Sequence, residues 1–172
     1  LLMYVFFGVV LVVLALALHD RLKSGAPALV QVATALGIIW AGSLIASGMV
    51  ANAGMAPTVA LHATDPAQAA LTWQGIEAVA SGLGNGNGEI LGGMWVLLVS
   101  LAALRAGGRA GGRADGLPAG LSILGLLVGA VGILSLIPGL TGLLTGVFGL
   151  SQTIWFVWLG IVLLRSKPGM TA

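Results

Sequence analysis

Residues 143–164 read LLTGVFGLSQTIWFVWLGIVLL, and none of these side chains carries a charge. As an α-helix this stretch is about 33 Å long, which matches a bilayer hydrocarbon core of about 30 Å. Over the whole chain, hydrophobic residues make up 58% and charged residues only 7%, whereas soluble domains carry about 25% charged residues. Apolar side chains on the surface of a protein are favourable in lipid and unfavourable in water. The sequence therefore predicts an all-α, polytopic transmembrane helix bundle.

About five spans are predicted, and together they form a single membrane domain. They are residues 1–18, 28–49, 87–104, 117–137 and 143–164. The third span has only a short apolar part, residues 90–104, so residues ahead of Ile90 must complete the crossing.

The basic residues indicate which way the chain is oriented. With five spans, all seven fall on one side, and no Lys or Arg occurs in residues 50–89 or 138–142. Because cytoplasmic loops collect Lys and Arg, we expect the N-terminus outside and the C-terminus in the cytoplasm. The same reasoning explains the pI of about 9.7 without a nucleic-acid partner. The basic residues are Arg21, Lys23, Arg105, Arg109, Arg113, Arg165 and Lys167.

An extracytoplasmic amphipathic helix is predicted between spans two and three, over about residues 66–82. Asp65 has the character of an N-cap, Pro66 suits the first helical position, and Gln68 follows three residues after the cap. Apolar residues then recur at helical spacing. This helix either lies on the membrane surface or caps the bundle.

The stretch GNGNGE at residues 84–89 predicts a break in the helix, because glycine and asparagine tolerate positive φ. It serves either as a hinge or as a turn that contacts a ligand. Since only 15 residues separate Glu89 from Arg105, a spanning helix draws Glu89 to the outer boundary, where a carboxylate needs a partner or water. Glu89, Asn85 and Asn87 are therefore the candidate functional or partner-contacting residues.

Two further polar residues join this candidate set. Gln152 is the most polar side chain near the middle of the fifth span, where facing lipid is costly. It serves either as a hydrogen-bonding group between helices or as part of a polar path. Glu77 is a carboxylate on the outer helix, close in sequence to the glycine break.

Small residues predict close helix packing at two places. Gly125 and Gly129 form a GxxxG motif in the fourth span, and Gly142 and Gly146 form another at the outer end of the fifth. Such motifs let two backbones approach each other. Their use is either internal packing or homo-oligomerisation.

Residues that carry catalysis are scarce, which favours a chain that is not an enzyme. There is no cysteine, and the two histidines, His19 and His62, belong to opposite sides of the membrane. We therefore predict no catalytic residues, no metal ligands and no cofactor. An enzyme would have to act at the outer face through Glu77, Glu89 and His62.

Two stretches resemble a known family. Residues 88–100, GEILGGMWVLLVS, and residues 149–165, GLSQTIWFVWLGIVLLR, resemble small bacterial multi-pass proteins of the domain-of-unknown-function family numbered 4386. The resemblance covers roughly the C-terminal half of the chain. It implies a helix bundle in the bacterial cytoplasmic (inner) membrane, and it brings no catalytic residues.

The functional expectation is a non-catalytic accessory or structural subunit. Its partners would be the lipid bilayer and either further copies of itself or a larger membrane complex. The alternative is a small transporter or channel protomer with a path near Glu89 and Gln152, although no inverted repeat is visible.

Overall fold

A computed structural model of the chain describes residues 2–85, 88–109, 117–137 and 139–165. Within these ranges there is no β-strand, so the predicted all-α class is confirmed. A π turn, Ser81–Asn85, separates the third helix from the fourth. The helices are α1 (Leu2–Leu22), α2 (Pro27–His62), α3 (Pro66–Ala80), α4 (Gly88–Arg109), α5 (Ala119–Leu134) and α6 (Thr141–Arg165).

In the part of the chain that the structure describes, four helical stretches are long and apolar enough to cross a bilayer, which is compatible with a multi-pass membrane protein. They are α1, α2, the stretch Pro66–Gly107 and α6, whereas α5 is shorter, with 16 residues. Only 22% of the most apolar window of α1 and 17% of that of α6 are buried. Apolar surfaces of this extent are unusual in water-soluble monomers and suit lipid.

Helix α2 extends well beyond the predicted second span. It has 36 residues, about 54 Å at roughly 1.5 Å per residue, so it exceeds a hydrocarbon core of about 30 Å. Residues 50–62 are uncharged apart from His62 and contain Pro57 inside the helix. This extension is helical because α3 packs along it.

The extension of α2 and the whole of α3 form a two-helix unit, here called the outer hairpin (residues 50–80). The predicted outer helix is present as α3, and the Asp65 side chain accepts a hydrogen bond from the backbone N–H of Gln68 at 3.0 Å. Ile76 packs against Gly54: its Cγ1 lies 3.1 Å from the position that a Cβ on Gly54 would take. The hairpin therefore lengthens the bundle along α2 instead of closing its end.

The chain from α3 through the π turn to α4 runs antiparallel along the whole of α2. At the π turn, Gly84 lies against the α2 backbone, with 3.1 Å between the carbonyl carbon of Ser43 and the position of a Cβ on Gly84. Gly84 thus places the π turn against α2, whereas Gly86 and Asn87 of the predicted break lie outside the described residues. The facing pairs along α2 and α4 are Trp40 with Gly92 and Gly37 with Trp95, and Gly25, in the turn before α2, faces Ala106.

Helix α4 occupies the centre of the bundle. It packs on α2 on one side and on α5 on the other, while α1 packs mainly on α2 and α6 mainly on α5. Helices α4 and α5 approach closely, since the carbonyl oxygen of Gly129 lies 3.0 Å from the position of a Cβ on Gly93.

Candidate functional site

Five aromatic side chains from four helices meet in the middle of the bundle and form the aromatic cluster. Trp95 on α4 lies at its centre, with ring centroids 5.9 Å from Trp40 and from Trp155 and 6.1 Å from Phe156. Phe7 on α1 closes the cluster through edge contacts with Trp40 and Phe156. The cluster therefore joins α1, α2, α4 and α6, and it brings Phe7 of α1 against Phe156 of α6.

Each buried indole of this cluster lies against a glycine of another helix. Cζ2 of Trp40 is 2.8 Å from the position that a Cβ on Gly92 would take. Nε1 of Trp95 lies 2.5 Å from the position of a Cβ on Gly37, and Nε1 of Trp155 lies 2.6 Å from the position of a Cβ on Gly125. The absence of a side chain at these glycines thus makes room for the indoles.

Gln152, a predicted site residue, lies at the edge of this cluster. Its Nε2 atom is buried, 3.1 Å from the position of a Cβ on Gly92. Among the described residues, no protein atom accepts a hydrogen bond from Gln152 Nε2 or from Trp40 Nε1. Unpartnered buried donors are rare in native proteins, so this pair is a candidate binding site.

A second group of buried polar atoms lies between α4, α5 and α6. Trp155 Nε1 donates to the carbonyl oxygen of Leu121 at 3.2 Å. The hydroxyls of Ser100 and Ser122 are buried and have no partner in the described part of the chain. These groups line the contact of α4 with α5, where helix packing is the simplest role.

A small cavity lies at the predicted cytoplasmic end, between α1, α2 and α4. It is lined by His19, Thr34 and Trp95 among mainly apolar side chains, and it has room for about one water molecule. The Thr34 hydroxyl donates to the Val30 carbonyl oxygen at 2.8 Å and lies 3.0 Å from His19 Nδ1. The Thr34 hydroxyl oxygen can also accept a hydrogen bond, so the Nδ1–H tautomer of His19 can donate to it.

Where the structure describes them, the predicted outer residues lie on different elements. Glu89 is half-buried in the first turn of α4. Its backbone carbonyl oxygen lies 2.6 Å from the position of a Cβ on Gly132. Glu77 is exposed on α3. Asn85 is the last residue of the π turn, and Asn87 lies outside the described residues.

The two glycine pairs have different environments. Gly125 and Gly129 are buried where α5 meets its neighbours, and the Gly93 carbonyl oxygen lies 2.7 Å from the position of a Cβ on Gly129. Gly142 and Gly146 are exposed on α6, with nothing within 4 Å of their Cβ positions. The first pair therefore packs within the chain, whereas the second makes no contact there.

Sequence reasoning did not single out Trp40, the other buried donor without an acceptor among the described residues. Tryptophan is enriched at the two membrane interfaces, yet Trp40, Trp95 and Trp155 all fall well inside predicted spans. The position of these tryptophans in mid-span, away from the interfaces, indicates an internal aromatic cluster. No local pattern, however, indicates which glycine each indole would meet.

Comparison of the chain with models of protein families, with curated proteins and with solved structures finds no match. The functional argument therefore rests on the residues and their geometry.

Proposed function

We propose that this chain is a non-catalytic accessory or structural subunit of a membrane complex, and that the outer hairpin contacts the partner. The observation that carries the proposal is the apolar surface of the outer hairpin. Met55, Val59, Leu71 and Val79 are exposed, with 42%, 66%, 62% and 56% of their surfaces accessible. The orientation with the C-terminus in the cytoplasm is supported by the positions of the basic residues, and the proposal places the chain in a bacterial inner membrane.

The length of α2 supports a role for this surface outside the membrane. About 24 Å of α2 exceeds the thickness of a hydrocarbon core, so lipid does not cover the far end of the hairpin. Two helices bury only the faces that they turn to each other. Covering one leucine or valine contributes about 1.5–3 kcal/mol, and a partner protein supplies that cover.

Charge favours a different protein over a second copy as the occupant. The outer hairpin carries Asp65 and Glu77 and has no Lys or Arg. Two copies meeting through this surface would bring carboxylates together without a positive charge between them. A partner with an apolar patch bordered by Lys or Arg complements the hairpin instead.

Site-specific crosslinking tests the proposal, because the chain has no native cysteine. Single cysteines at Val59 and Leu71 should crosslink to the same partner in intact membranes, whereas a cysteine at Leu143, exposed on α6, should not. A product of twice the chain mass would identify a second copy and contradict the proposed occupant. No product at either hairpin position would contradict the docking surface itself.

A matched pair of double variants tests the same surface energetically. The double variant Val59→Ala with Leu71→Ala should lower co-purification of the partner that crosslinking identified, by about fivefold or more in mild detergent. Leu143→Ala with Val147→Ala removes the same side chains from an exposed face of α6 and should leave recovery unchanged. Equal recovery from both double variants would mean that the hairpin surface is not the contact.

A small transporter or channel protomer is the second candidate, favoured by the buried amide of Gln152. Glu89 lies in the first turn of α4, and Gly92, which lies close to that amide, follows about one turn later. The aromatic cluster fills the space beyond, so a path would require the cluster to rearrange. The substitution Gln152→Leu can be made in the Val59→Cys variant. This candidate is favoured if the partner still crosslinks at position 59 while the variant no longer supports growth as the wild type does.

A further inference from the structure

The small cavity between α1, α2 and α4 is bordered by one indole and by a pair of hydrogen-bonded polar side chains. Trp95, His19 and Thr34 line it together with buried apolar residues. His19 and Thr34 are half-buried, whereas Trp95 is completely buried. Within the described part of the chain, the lining residues include no Asp, Glu, Lys or Arg. The wall therefore has hydrogen-bonding groups but no carboxylate that would hold a cation and no Lys or Arg that would hold an anion.

The N–H edge of the Trp95 indole is on the side of the ring that faces α1 and α2. Trp95 Nε1 lies 2.5 Å, and Cδ1 2.8 Å, from the position that a Cβ on Gly37 would take. The Cβ of Ala15, which also lines the cavity, lies 3.2 Å from the same position. Because Gly37 belongs to α2 and Ala15 to α1, the N–H edge lies between these two helices. At that place it can donate a hydrogen bond into the cavity.

The Thr34 hydroxyl supplies the complementary group, an acceptor. It donates its proton to the Val30 carbonyl oxygen at 2.8 Å and lies 3.0 Å from His19 Nδ1. Val30, Thr34 and His19 all line the cavity, so this hydrogen-bonded group is part of its wall. A hydroxyl oxygen has two lone pairs. A hydrogen bond from the Nδ1–H tautomer of His19 uses one of them and leaves the other for a ligand.

We propose that this cavity binds one water molecule, which accepts a hydrogen bond from Trp95 Nε1–H and donates one to Thr34 Oγ1. The cavity has room for about one water molecule, so a larger ligand does not fit. Genuinely empty cavities are apolar, whereas a buried water needs at least about two polar partners, which Trp95 and Thr34 supply. The bound water links α2 to α4 beside the aromatic cluster. It does so whether or not the outer hairpin binds a partner.

Proton-detected solid-state NMR of the full-length protein in lipid bilayers tests this proposal, with ¹⁵N in the tryptophan indoles. We expect a cross-peak between the Trp95 indole proton and water protons, assigned by its loss in Trp95→Phe. The Trp155 indole is the internal control, because it donates to the Leu121 carbonyl oxygen at 3.2 Å, and it should show no such cross-peak. If the Trp95 cross-peak is absent from the wild-type spectrum, the cavity holds no water and the proposal is wrong.

A matched pair of variants separates a water in the cavity from exchange of the labile protons on His19 and Thr34. Val99→Ile adds a methylene to a residue that lines the cavity and leaves every polar group in place, so it should displace the water and remove the cross-peak. Val128→Ile makes the same change at a buried valine of α5 that is not among the described lining residues, and it should retain the cross-peak. A cross-peak that persists in Val99→Ile overturns the proposal, as does its loss in both valine variants. If these variants do not fold, the comparison of the two indoles in the wild type decides.

Discussion

At the contact of α4 with α5, single glycines set the distance between two helices. A Cβ on Gly129 would lie 2.5 Å from Leu97 Cβ and 2.7 Å from the Gly93 carbonyl oxygen. Backbone atoms cannot move aside as a flexible side chain can. Gly129→Ala should therefore destabilise the protein by about 1–3 kcal/mol, measured by thermal unfolding in detergent.

Gly146→Ala is the control for this substitution. Nothing lies within 4 Å of a Cβ on Gly146, which is exposed on α6. Alanine is a better helix former than glycine by about 0.5–1 kcal/mol, so this variant should be neutral or slightly more stable. Equal loss of stability in both variants would contradict the close α4–α5 contact.

Ser47 offers a second residue-scale prediction. Its buried hydroxyl donates to the carbonyl oxygen of Ala80 at 2.8 Å and so joins α2 to the end of α3. Ser43 instead donates to the carbonyl oxygen of Ile39 in its own helix. Ser47→Ala should lower the unfolding free energy by about 0.5–1.5 kcal/mol, and Ser43→Ala should change it less. A larger effect at Ser43 would argue against the link between the helices.

Among the elements, the outer hairpin is the one whose pairing is simplest to test. Ile76 Cγ1, bonded to Cβ, lies 3.1 Å from the Cβ position of Gly54, which places the two Cβ atoms near disulfide distance. Gly54→Cys with Ile76→Cys should form a disulfide under mild oxidation, seen as a mobility shift on a non-reducing gel. Met55→Cys with Ile76→Cys, in which Met55 is exposed, should not. Similar oxidation of both pairs would contradict the antiparallel register.

Local signals predicted some elements and not others. The start of α3 was predictable, because Asp65, Pro66 and Gln68 act within one helical turn. The extension of α2 through residues 50–62 was not, because it depends on the pairing with α3, a contact between separate segments. The glycines predicted a break at residues 84–89, but the continuation of α4 along α2 depends on the fit of Gly84 against Ser43.

For the whole molecule, the orientation in the membrane is the prediction to test. Ser24 lies among the basic residues between α1 and α2, and Ala60 lies on the outer hairpin; both are exposed. A membrane-impermeant maleimide should label Ala60→Cys in intact cells and Ser24→Cys only after permeabilisation, because Lys and Arg mark the cytoplasmic side. The opposite labelling pattern would reverse the orientation.

Of the two residues of the candidate binding site, one could be predicted from the sequence. Gln152 could be singled out from sequence, because an amide in mid-span must find a partner within the bundle. Trp40, the other donor, belongs to a helix that is distant in sequence. Only the packing of α2, α4 and α6 brings its indole to Gly92, and no spacing rule contains that information.

The order of helix contacts also constrains how the bundle assembles. The pairs α1–α2, α2–α3, α4–α5 and α5–α6 are neighbours in sequence, so each can form soon after its second member leaves the ribosome. The aromatic cluster is different, because Phe7 belongs to α1 and Phe156 to α6, which are separated by four other helices of the described chain. Phe156 and Trp155 can therefore pack against Phe7 and Trp95 only after α6 has been synthesised, so the cluster forms later than the α1–α2 and α4–α5 pairs.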